Sequence, residues 1–276
     1  MRIEFTKMHG SGNDFIVLEA SAAAAVSSAE LIRRMADRHT GIGFDQALVL
    51  EAPRRSDTIA FYRIFNADGT EVEQCGNGAR CLAALLAGRK RTAPQELTLD
   101  SMGGLVHARI LGSQLIAVDM GIPNFEPNCL PFDATASAKL YRMEVAGENI
   151  EFGAVSIGNP HAVLTVSSVA AADVVRLGPL IEHHRHFPER VNVGFMEIID
   201  RKHIRLRVHE RGAGETLACG TGACAAVAVG RQHESLDADV QVSMRGGELR
   251  VNWRGPGEPI WLTGPAEVSF VGYFEV

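Results

Sequence analysis

The chain has 276 residues, of which 46% are hydrophobic and 22% charged, a composition typical of a globular protein large enough for two domains. Its formal net charge is −6 without a long run of either sign, which argues against a nucleic-acid partner. No apolar stretch is long enough to cross a bilayer, and the N-terminal residues lack a signal-peptide pattern. We therefore expect a cytoplasmic protein with no membrane partner.

Seven short strands are predicted in the first half of the chain, because apolar runs there are separated by Gly, Pro, Asn and Asp. The residues from Ala29 to His39 form an amphipathic helical pattern, with Ser27 and Glu30 as a capping box and Gly41 just past the end. The strands are expected at Ile3 to Phe5, Phe15 to Glu19, Ala47 to Glu51, Ile59 to Phe65, Leu97 to Asp100, Leu105 to Ile110 and Leu115 to Met120.

A Cys-Gly-X-Gly sequence occurs twice, at Cys75 to Gly78 and at Cys219 to Gly222. Each cysteine precedes a predicted helix, Ala79 to Ala87 or Ala223 to Val229, whose residues are mostly small or apolar around the whole circumference. A helix of this kind is buried on every side. Each half of the chain is therefore predicted to wrap its sheet around one central helix.

Two glycines and three further cysteines in or near these helices lead to additional predictions. Gly88 and Gly230 are expected to end the two helices. The other three cysteines, Cys81, Cys129 and Cys224, lack the glycine context and are interpreted as core residues.

Four blocks of the chain align with later blocks in the same order. The cysteines are 144 residues apart, as are Asn66 and Glu210, whereas Gln46 and Asn192 are 146 apart. The segments 12–18 and 158–164 also align at 146. This predicts an internal duplication of the α+β class, with two homologous domains, each a barrel-like mixed sheet around a central helix. The domains are expected at 1–120 with a returning C-terminal strand at 266–276, and at 121–265.

Two matched thiols fit a reaction that removes a proton from one face of a carbon and returns one to the other. A helix N-terminus lowers a thiol pKa and offers backbone N–H groups to an anion. One thiolate would act as base and the other thiol as acid. A packed cysteine is the simpler alternative, and a Cys75–Cys219 disulfide is interpreted as oxidative inactivation. Neither glycine pair continues as a phosphate loop or a dinucleotide fingerprint, and no Cys-x-x-Cys indicates zinc.

Polar residues around these blocks have two interpretations each. Asparagines at strand ends either form turns or contact a ligand, and they are Asn13, Asn66, Asn77, Asn159 and Asn192. His161 either tunes the pKa of a thiol or is structural. The pair Glu210-Arg211 either supplies an acceptor for an ammonium group and a clamp for a carboxylate, or is a surface ion pair. The histidines at 183, 184 and 186 are interpreted as an exposed loop and not as a metal site.

Four motifs together resemble the diaminopimelate epimerase family. They are the segments Lys7 to Phe15, Cys75 to Arg80, Gly158 to His161 and Glu210 to Gly222, and they occur in order across nearly the whole chain. The resemblance implies a cofactor-independent isomerase that interconverts LL- and meso-diaminopimelate for lysine and cell-wall precursor synthesis. It also implies substrate binding in a cleft between two domains, closure on binding, and a homodimer.

The resemblance also assigns roles to residues of this sequence. Cys75 and Cys219 correspond to the two bases, and His161 and Glu210 to their supporting catalytic groups. The substrate contacts it implies are Asn13, Gln46, Asn66, Asn159, Asn192, Glu210 and Arg211, with Gly76, Asn77, Gly220 and Thr221 as the carboxylate cradle. No metal ligands and no cofactor are expected.

Three other functions stay open at this point. A proline or hydroxyproline racemase would use the same two thiols, but such a substrate has no second charged centre for Asn66, Asn192 and Arg211 to hold. A non-catalytic binding relative would be signalled by loss of one cysteine, and both are present. A thiol-redox protein is disfavoured by the absence of Cys-x-x-Cys.

Overall fold

A computed structural model describes residues 2–19, 28–73, 75–89, 95–134 and 136–276. The chain divides into two compact units, unit 1 at 1–118 and 263–276 and unit 2 at 119–262. Both are α+β, as predicted from the sequence.

All seven strands predicted in the first half are present in this part of the chain, each with at least one end shifted. The elements of this part of the chain are β1 (Arg2–Gly10), β2 (Asn13–Leu18), α1 (Ala29–Ala36), β3 (Gln46–Glu51), β4 (Phe61–Asn66), β5 (Glu71–Val72), α2 (Gly76–Gly88), β6 (Glu96–Ser101), β7 (Gly104–Ile110) and β8 (Leu115–Asp119). The last strand of the chain, β18 (Glu267–Glu275), pairs antiparallel with β1.

Unit 2 begins with one additional strand, β9, and then repeats this order of elements. They are β9 (Tyr141–Val145), β10 (Glu148–Ser156), β11 (Pro160–Thr165), α3 (Val174–Glu182), β12 (Asn192–Asp200), β13 (His203–Glu210), β14 (Gly214–Glu215), α4 (Gly220–Gln232), β15 (Asp239–Met244), β16 (Gly247–Trp253) and β17 (Ile260–Pro265).

The strand pairing repeats down to its register. Strands β2 and β3 run parallel with Phe15 opposite Gln46, and β11 and β12 run parallel with His161 opposite Asn192. Likewise β4 pairs antiparallel with β5 and parallel with β6, as β13 pairs with β14 and β15. A one-residue slip would move every side chain of a strand to the other face. The shared register therefore places corresponding side chains alike in the two units.

The helices behind the two cysteines are the central helices of the units. Ten of the thirteen residues of α4 are buried, and it packs against β10, β11, β12, β13 and β16. Helix α2 packs against β1, β2, β7 and β18, with Ala84, Leu85 and Leu86 partly exposed. The prediction of complete burial is thus met more closely in unit 2 than in unit 1.

Helix α1 is shorter than the sequence indicated, ending at Ala36 and not at His39. The reason is Asp37, whose Oδ1 accepts the N–H groups of His39 and Thr40 at 2.8 and 2.6 Å and turns the chain. The N-cap is Ser28, whose hydroxyl accepts the N–H of Leu31. Ser27, proposed for the capping box, lies outside the described residues.

Two further expectations are corrected. Gly230 lies inside α4, where a Cβ would stand 2.4 Å from Leu236 Cδ1, so this glycine allows close packing and does not end the helix. Gly88 is the last residue of α2. Cys129 is exposed in a short 3-10 turn, whereas Cys81 and Cys224 are buried as expected.

Candidate active site

Cys75 is the N-cap of α2 and the centre of half-site 1, which comprises Cys75, Asn13, Gln46, Asn66 and Asn77. Its backbone is extended, and its sulfur accepts the N–H of Gly78 at 3.4 Å. The amide oxygen of Asn13 lies 4.0 Å from this sulfur and accepts a hydrogen bond from Asn77 Nδ2 at 3.1 Å. The cysteine is half-buried.

The amide of Asn13 is held in one orientation by acidic residues below it. Its Nδ2 donates to Asp45 Oδ2 at 2.8 Å, so its Oδ1 must face the side of Cys75. Asp45 is itself bound by Arg38 at 2.8 Å, and Arg38 also forms a two-point contact with Asp14. Burial acts to raise the pKa of Asp14, but hydrogen bonds from Arg38 and Lys7 outweigh it and lower that pKa to about 2. An ionic network thus supports half-site 1.

Gln46 and Asn66 lie opposite each other on β3 and β4. Gln46 Nε2 donates to Asn66 Oδ1 at 2.9 Å, and Asn66 Nδ2 donates to Thr70. Among the described residues, no hydrogen-bond donor reaches the buried Oε1 of Gln46 or Oδ1 of Asn77. Half-site 1 therefore offers two buried acceptor oxygens to a ligand with N–H groups.

Cys219 is the N-cap of α4 and the centre of half-site 2, which comprises Cys219, Asn159, His161, Glu210 and Thr221. Its sulfur accepts the N–H of Gly222 at 3.3 Å and lies 3.5 Å from the hydroxyl of Thr221. Cys219 is 4% exposed. Burial, followed by the negative charge of Glu210, raises the pKa of Cys219 well above its usual value. The resting form of this residue is the thiol.

Asn159 and His161 form a chain of hydrogen bonds next to Thr221. Asn159 Nδ2 donates to Thr221 Oγ1 at 3.4 Å, so its Oδ1 accepts from Nε2 of His161 at 2.9 Å. His161 is 1% exposed, and burial, with the positive charge of Arg211, lowers its pKa to about 3. His161 is therefore a neutral hydrogen-bond donor at physiological pH.

Glu210 and Arg211 are fixed at the end of β13. Thr216 Oγ1 donates to Glu210 Oε1 at 2.5 Å, and the N–H of Arg211 donates to Asn192 Oδ1 at 3.0 Å. Asn192 also donates to the carbonyl of Pro160 at 2.9 Å and is 4% exposed. Both ends of this amide are thus bonded to the backbone, and its contact with a substrate stays a prediction.

The first turns of α2 and α4 leave the same backbone donors for an anion. In α2 the N–H of Gly78 bonds to the Cys75 sulfur and that of Ala79 to the Cys75 carbonyl. In α4, Gly222 and Ala223 bond to Cys219 in the same way. The first turn of a helix has N–H groups that the helix itself does not use. Here they belong to Gly76 and Asn77 in one unit, and to Gly220 and Thr221 in the other.

Residues 5–126 and 153–269 both match the family model for diaminopimelate epimerase. The chain belongs to the diaminopimelate epimerase family. The two matched segments carry one half-site each, so membership agrees with the duplication seen in the strand register.

Solved structures of other epimerase-fold proteins are similar over nearly the whole chain. A hydroxyproline epimerase from Agrobacterium vitis with bound trans-4-hydroxy-L-proline superposes with a TM-score of 0.70 at 16% identity, covering 99% of this chain and 92% of that one. A probable proline racemase from Agrobacterium radiobacter K84 with bound carbonate gives 0.70 at 19%, covering 99% and 93%. A Bacillus anthracis phenazine biosynthesis protein of the PhzF family gives 0.68 at 15%, covering all of both chains. At these identities the similarity concerns the fold.

Some of the residues predicted for each half of the site contact one another. In unit 1, Asn13 and Asn77 are hydrogen-bonded beside Cys75, and Gln46 bonds to Asn66 on the neighbouring strands. In unit 2, Asn159 bonds to His161 and Thr221, and Thr221 and Glu210 lie beside Cys219. Arg211 is exposed, and its Nη1 donates to the carbonyl of Glu189 at 3.2 Å.

Several supporting residues of the family site were missed by sequence reasoning. Asp45 orients Asn13, and Thr216 holds Glu210. Both are common turn residues, and only Thr216 lies in a recognised motif.

The remaining candidate sites have structural explanations. His183 and His184 bond to backbone carbonyls at the end of α3, and within the described ranges no three His, Cys, Asp or Glu side chains are grouped to hold a metal ion. In the same part of the chain, no helix has the length and hydropathy needed to cross a membrane.

Proposed function

We propose that the protein is a diaminopimelate epimerase. It interconverts LL- and meso-diaminopimelate by proton transfer at one α-carbon, without a cofactor, in lysine and peptidoglycan precursor biosynthesis. We further propose that it works as a cytoplasmic homodimer.

One observation carries this proposal. Each unit begins its central helix at a cysteine whose sulfur accepts the N–H three residues on, at 3.4 Å for Cys75 and 3.3 Å for Cys219. Backbone donors of this kind stabilise a thiolate, and the neighbouring N–H groups of the first helical turn suit a carboxylate. Two such places in one chain fit an amino-acid substrate whose α-proton is exchanged between two thiols.

The surroundings of the sulfurs support a direction for the first step. Cys219 is held as a thiol beside Glu210, so we assign it as the acid of this step and Cys75 as the base. Cys75 removes the α-proton from one face while Cys219 gives its proton to the opposite face. The charge that develops on the substrate carboxylate is stabilised by the N–H groups of the helix ends. In the reverse direction the two thiols exchange roles.

The polar residues support a substrate with more than one charged centre. Gln46 and Asn77 present buried acceptor oxygens, which suit an ammonium group. Arg211 adds an exposed cation, which suits a second carboxylate. Diaminopimelate has two amino-acid centres and can use both sets, whereas proline has one.

The proposal is tested by incubating the protein with LL-diaminopimelate in heavy water and following deuterium at the α-carbons by NMR. We expect deuterium at one α-carbon and formation of the meso isomer, with full activity after dialysis against a chelator. Proline and trans-4-hydroxyproline are the matched alternative substrates. Exchange with either of these and not with diaminopimelate would overturn the proposal in favour of a proline-type racemase.

Light scattering tests the homodimer proposal. A single species of twice the 29.7 kDa chain mass is expected at micromolar concentration. A monomer would contradict this part of the proposal and leave the catalytic part intact.

A further inference from the structure

The end of helix α3 carries a buried carboxylate that the proposed chemistry does not use. Glu182 is 3% exposed, its Oε2 accepts from His209 Nε2 at 2.8 Å, and its Oε1 accepts the N–H of Gly212 at 2.8 Å. Arg190 Nη1 lies 3.6 Å from Oε1. These four residues, Glu182, His209, Gly212 and Arg190, are called the Glu182 cluster.

The two main hydrogen bonds of the cluster fall on either side of Glu210 and Arg211 in the chain. His209 directly precedes this pair and Gly212 directly follows it. The carboxylate of Glu182 on α3 is thus hydrogen-bonded to the residue before and to the residue after the pair Glu210-Arg211. The side chain of Glu210 and the backbone of Arg211 are held separately, by Thr216 and Asn192.

Stability alone does not account for a buried carboxylate here. Burial acts to raise the pKa of Glu182, but hydrogen bonds from His209 and the Gly212 N–H, with smaller contributions from the charges of His183 and His209, outweigh it and hold that pKa below its usual range. Well-packed apolar residues in place of a buried charged pair are often as stable or more so. The imidazole also requires Gly178, where a Cβ would stand 2.6 Å from His209 Cγ.

In unit 1, apolar residues occupy the position that corresponds to Glu182 and His209. Phe65 precedes Asn66 as His209 precedes Glu210, and the two pair alike, with Glu71 and Glu215 respectively. Phe65 lies in an apolar cluster with residues of α1, namely Leu31, Ile32, Met35 and Ala36. The fold therefore accepts an apolar contact between this helix and this strand, and the charged one occurs in the unit that has Glu210.

We propose that Glu182 and His209 are positioning residues that fix the Glu210-Arg211 segment and so place the Glu210 carboxylate beside Cys219. This inference rests on the proposed function for its kinetic consequence. It concerns neither proton transfer nor substrate contact by Glu182 itself.

The test is the double variant Glu182→Leu/His209→Phe, which copies the apolar contact of unit 1. We expect a folded protein whose kcat for diaminopimelate falls roughly 10- to 100-fold, because a small displacement of a catalytic group has this effect. The second readout is alkylation of Cys219 against pH, followed by peptide mass spectrometry. Its midpoint should move to lower pH as Glu210 moves away, while the midpoint for Cys75 stays unchanged. A purely structural role would not move the Cys219 midpoint.

Two single variants complete the experiment. Glu182→Gln keeps an acceptor for Gly212 but loses the charge, so we expect the same two changes at smaller size. Arg176→Ala removes exposed ion pairs of the same helix with its N-cap Asp173 and with Glu148, and should match the wild type. A folded double variant with wild-type kcat and an unchanged Cys219 midpoint would overturn the inference. If the double variant does not fold, wild-type behaviour of Glu182→Gln overturns it instead.

The alkylation readout needs no substrate, so the inference and the proposed function fail in different ways. A wild-type protein without activity on diaminopimelate would defeat the function, and the Cys219 midpoint of the variants would still decide the inference.

Discussion

Half-site 1 and half-site 2 share one backbone plan and differ in what surrounds the sulfur. In both, a cysteine N-cap accepts the N–H three residues on, and the strands beside it have the same register. Yet Cys75 is half-buried, whereas Cys219 is almost fully buried next to a carboxylate. The duplication thus preserves the positions of the two thiols, whereas their burial and the charge beside them have diverged.

The two asparagines that precede the cysteines show the same divergence. The side-chain N–H of Asn13 donates to Asp45, and its oxygen faces Cys75. In Asn159 the side-chain oxygen accepts from His161, and the N–H donates to Thr221. Corresponding amides therefore present an oxygen to Cys75 in half-site 1 and an N–H group to Thr221 in half-site 2.

The largest expected effect comes from removing either sulfur. Cys75→Ala and Cys219→Ala should each lower kcat by roughly 10³-fold, because general acid–base catalysis contributes factors of this size. Deuterium exchange by NMR measures the loss, and circular dichroism checks the fold. Cys129→Ala, at an exposed cysteine, is the matched control with unchanged activity. Wild-type activity in either cysteine variant would show that this sulfur is not required and that the two thiols are not equivalent.

Neutralising Glu210 should have the next largest effect. Glu210→Gln removes the charge that helps to raise the pKa of Cys219, so the alkylation midpoint of Cys219 should move to lower pH. We expect kcat to fall roughly 10- to 100-fold, since the acid loses its proton too early. Glu151→Gln, at an exposed carboxylate paired with Arg142, serves as the control. An unchanged midpoint would show that the charge of Glu210 does not affect the pKa of Cys219.

Acid stability distinguishes His161 from Phe15, its counterpart in unit 1. The folded-state pKa of His161 is about 3 and its ordinary value 6.5, so between these values the unfolded chain binds more protons. The free energy of unfolding therefore falls as pH falls, by up to about 1.4 kcal/mol per pH unit from this residue. His161→Phe should lack that part of the slope in urea unfolding at pH 7, 6 and 5. Equal slopes in the two proteins would contradict the assignment.

The smallest effects are expected at the glycines that follow the cysteines. A Cβ at Gly222 would stand 3.0 Å from Val208 Cγ2 and 3.2 Å from the Cys219 sulfur, whereas one at Gly78 would meet Leu48 and Phe15. Gly222→Ala should therefore displace the sulfur and lower kcat roughly tenfold. Gly78→Ala should mainly cost about 1 kcal/mol of unfolding free energy through overpacking. Steady-state kinetics and urea unfolding separate the two, and equal kinetic losses would contradict the difference.

Much of this fold was predictable because the duplication is visible in the sequence. The strand periodicity located all seven strands of the first half, and the two Cys-Gly-X-Gly motifs located the central helices. Local errors arose where one side chain overrides a periodic pattern. Asp37 ends α1 early by accepting two backbone N–H groups, and Gly230 continues α4 because Leu236 packs against it.

The primary residues of the site were also predictable, but their supports were not. Most of the cysteines, asparagines and Glu210 stand in motifs, whereas Asp45 contacts Asn13, 32 positions away, and Glu182 contacts Gly212, 30 positions away. A single acidic residue in a helix end or a turn has no sequence signal that distinguishes it from solvent-exposed charge. Such contacts follow from tertiary packing, which periodicity and spacing do not encode.

The pairing of β18 with β1 has a consequence for how the chain folds during synthesis. Unit 2 comes from one continuous segment, 119–262, so all of its strands leave the ribosome before the last strand of unit 1 does. Strand β1 keeps an uncovered edge until residues 267–275 arrive, and such an edge invites wrong pairing. The half of the protein made first is therefore completed last, and unit 2 can form while unit 1 still lacks its final strand.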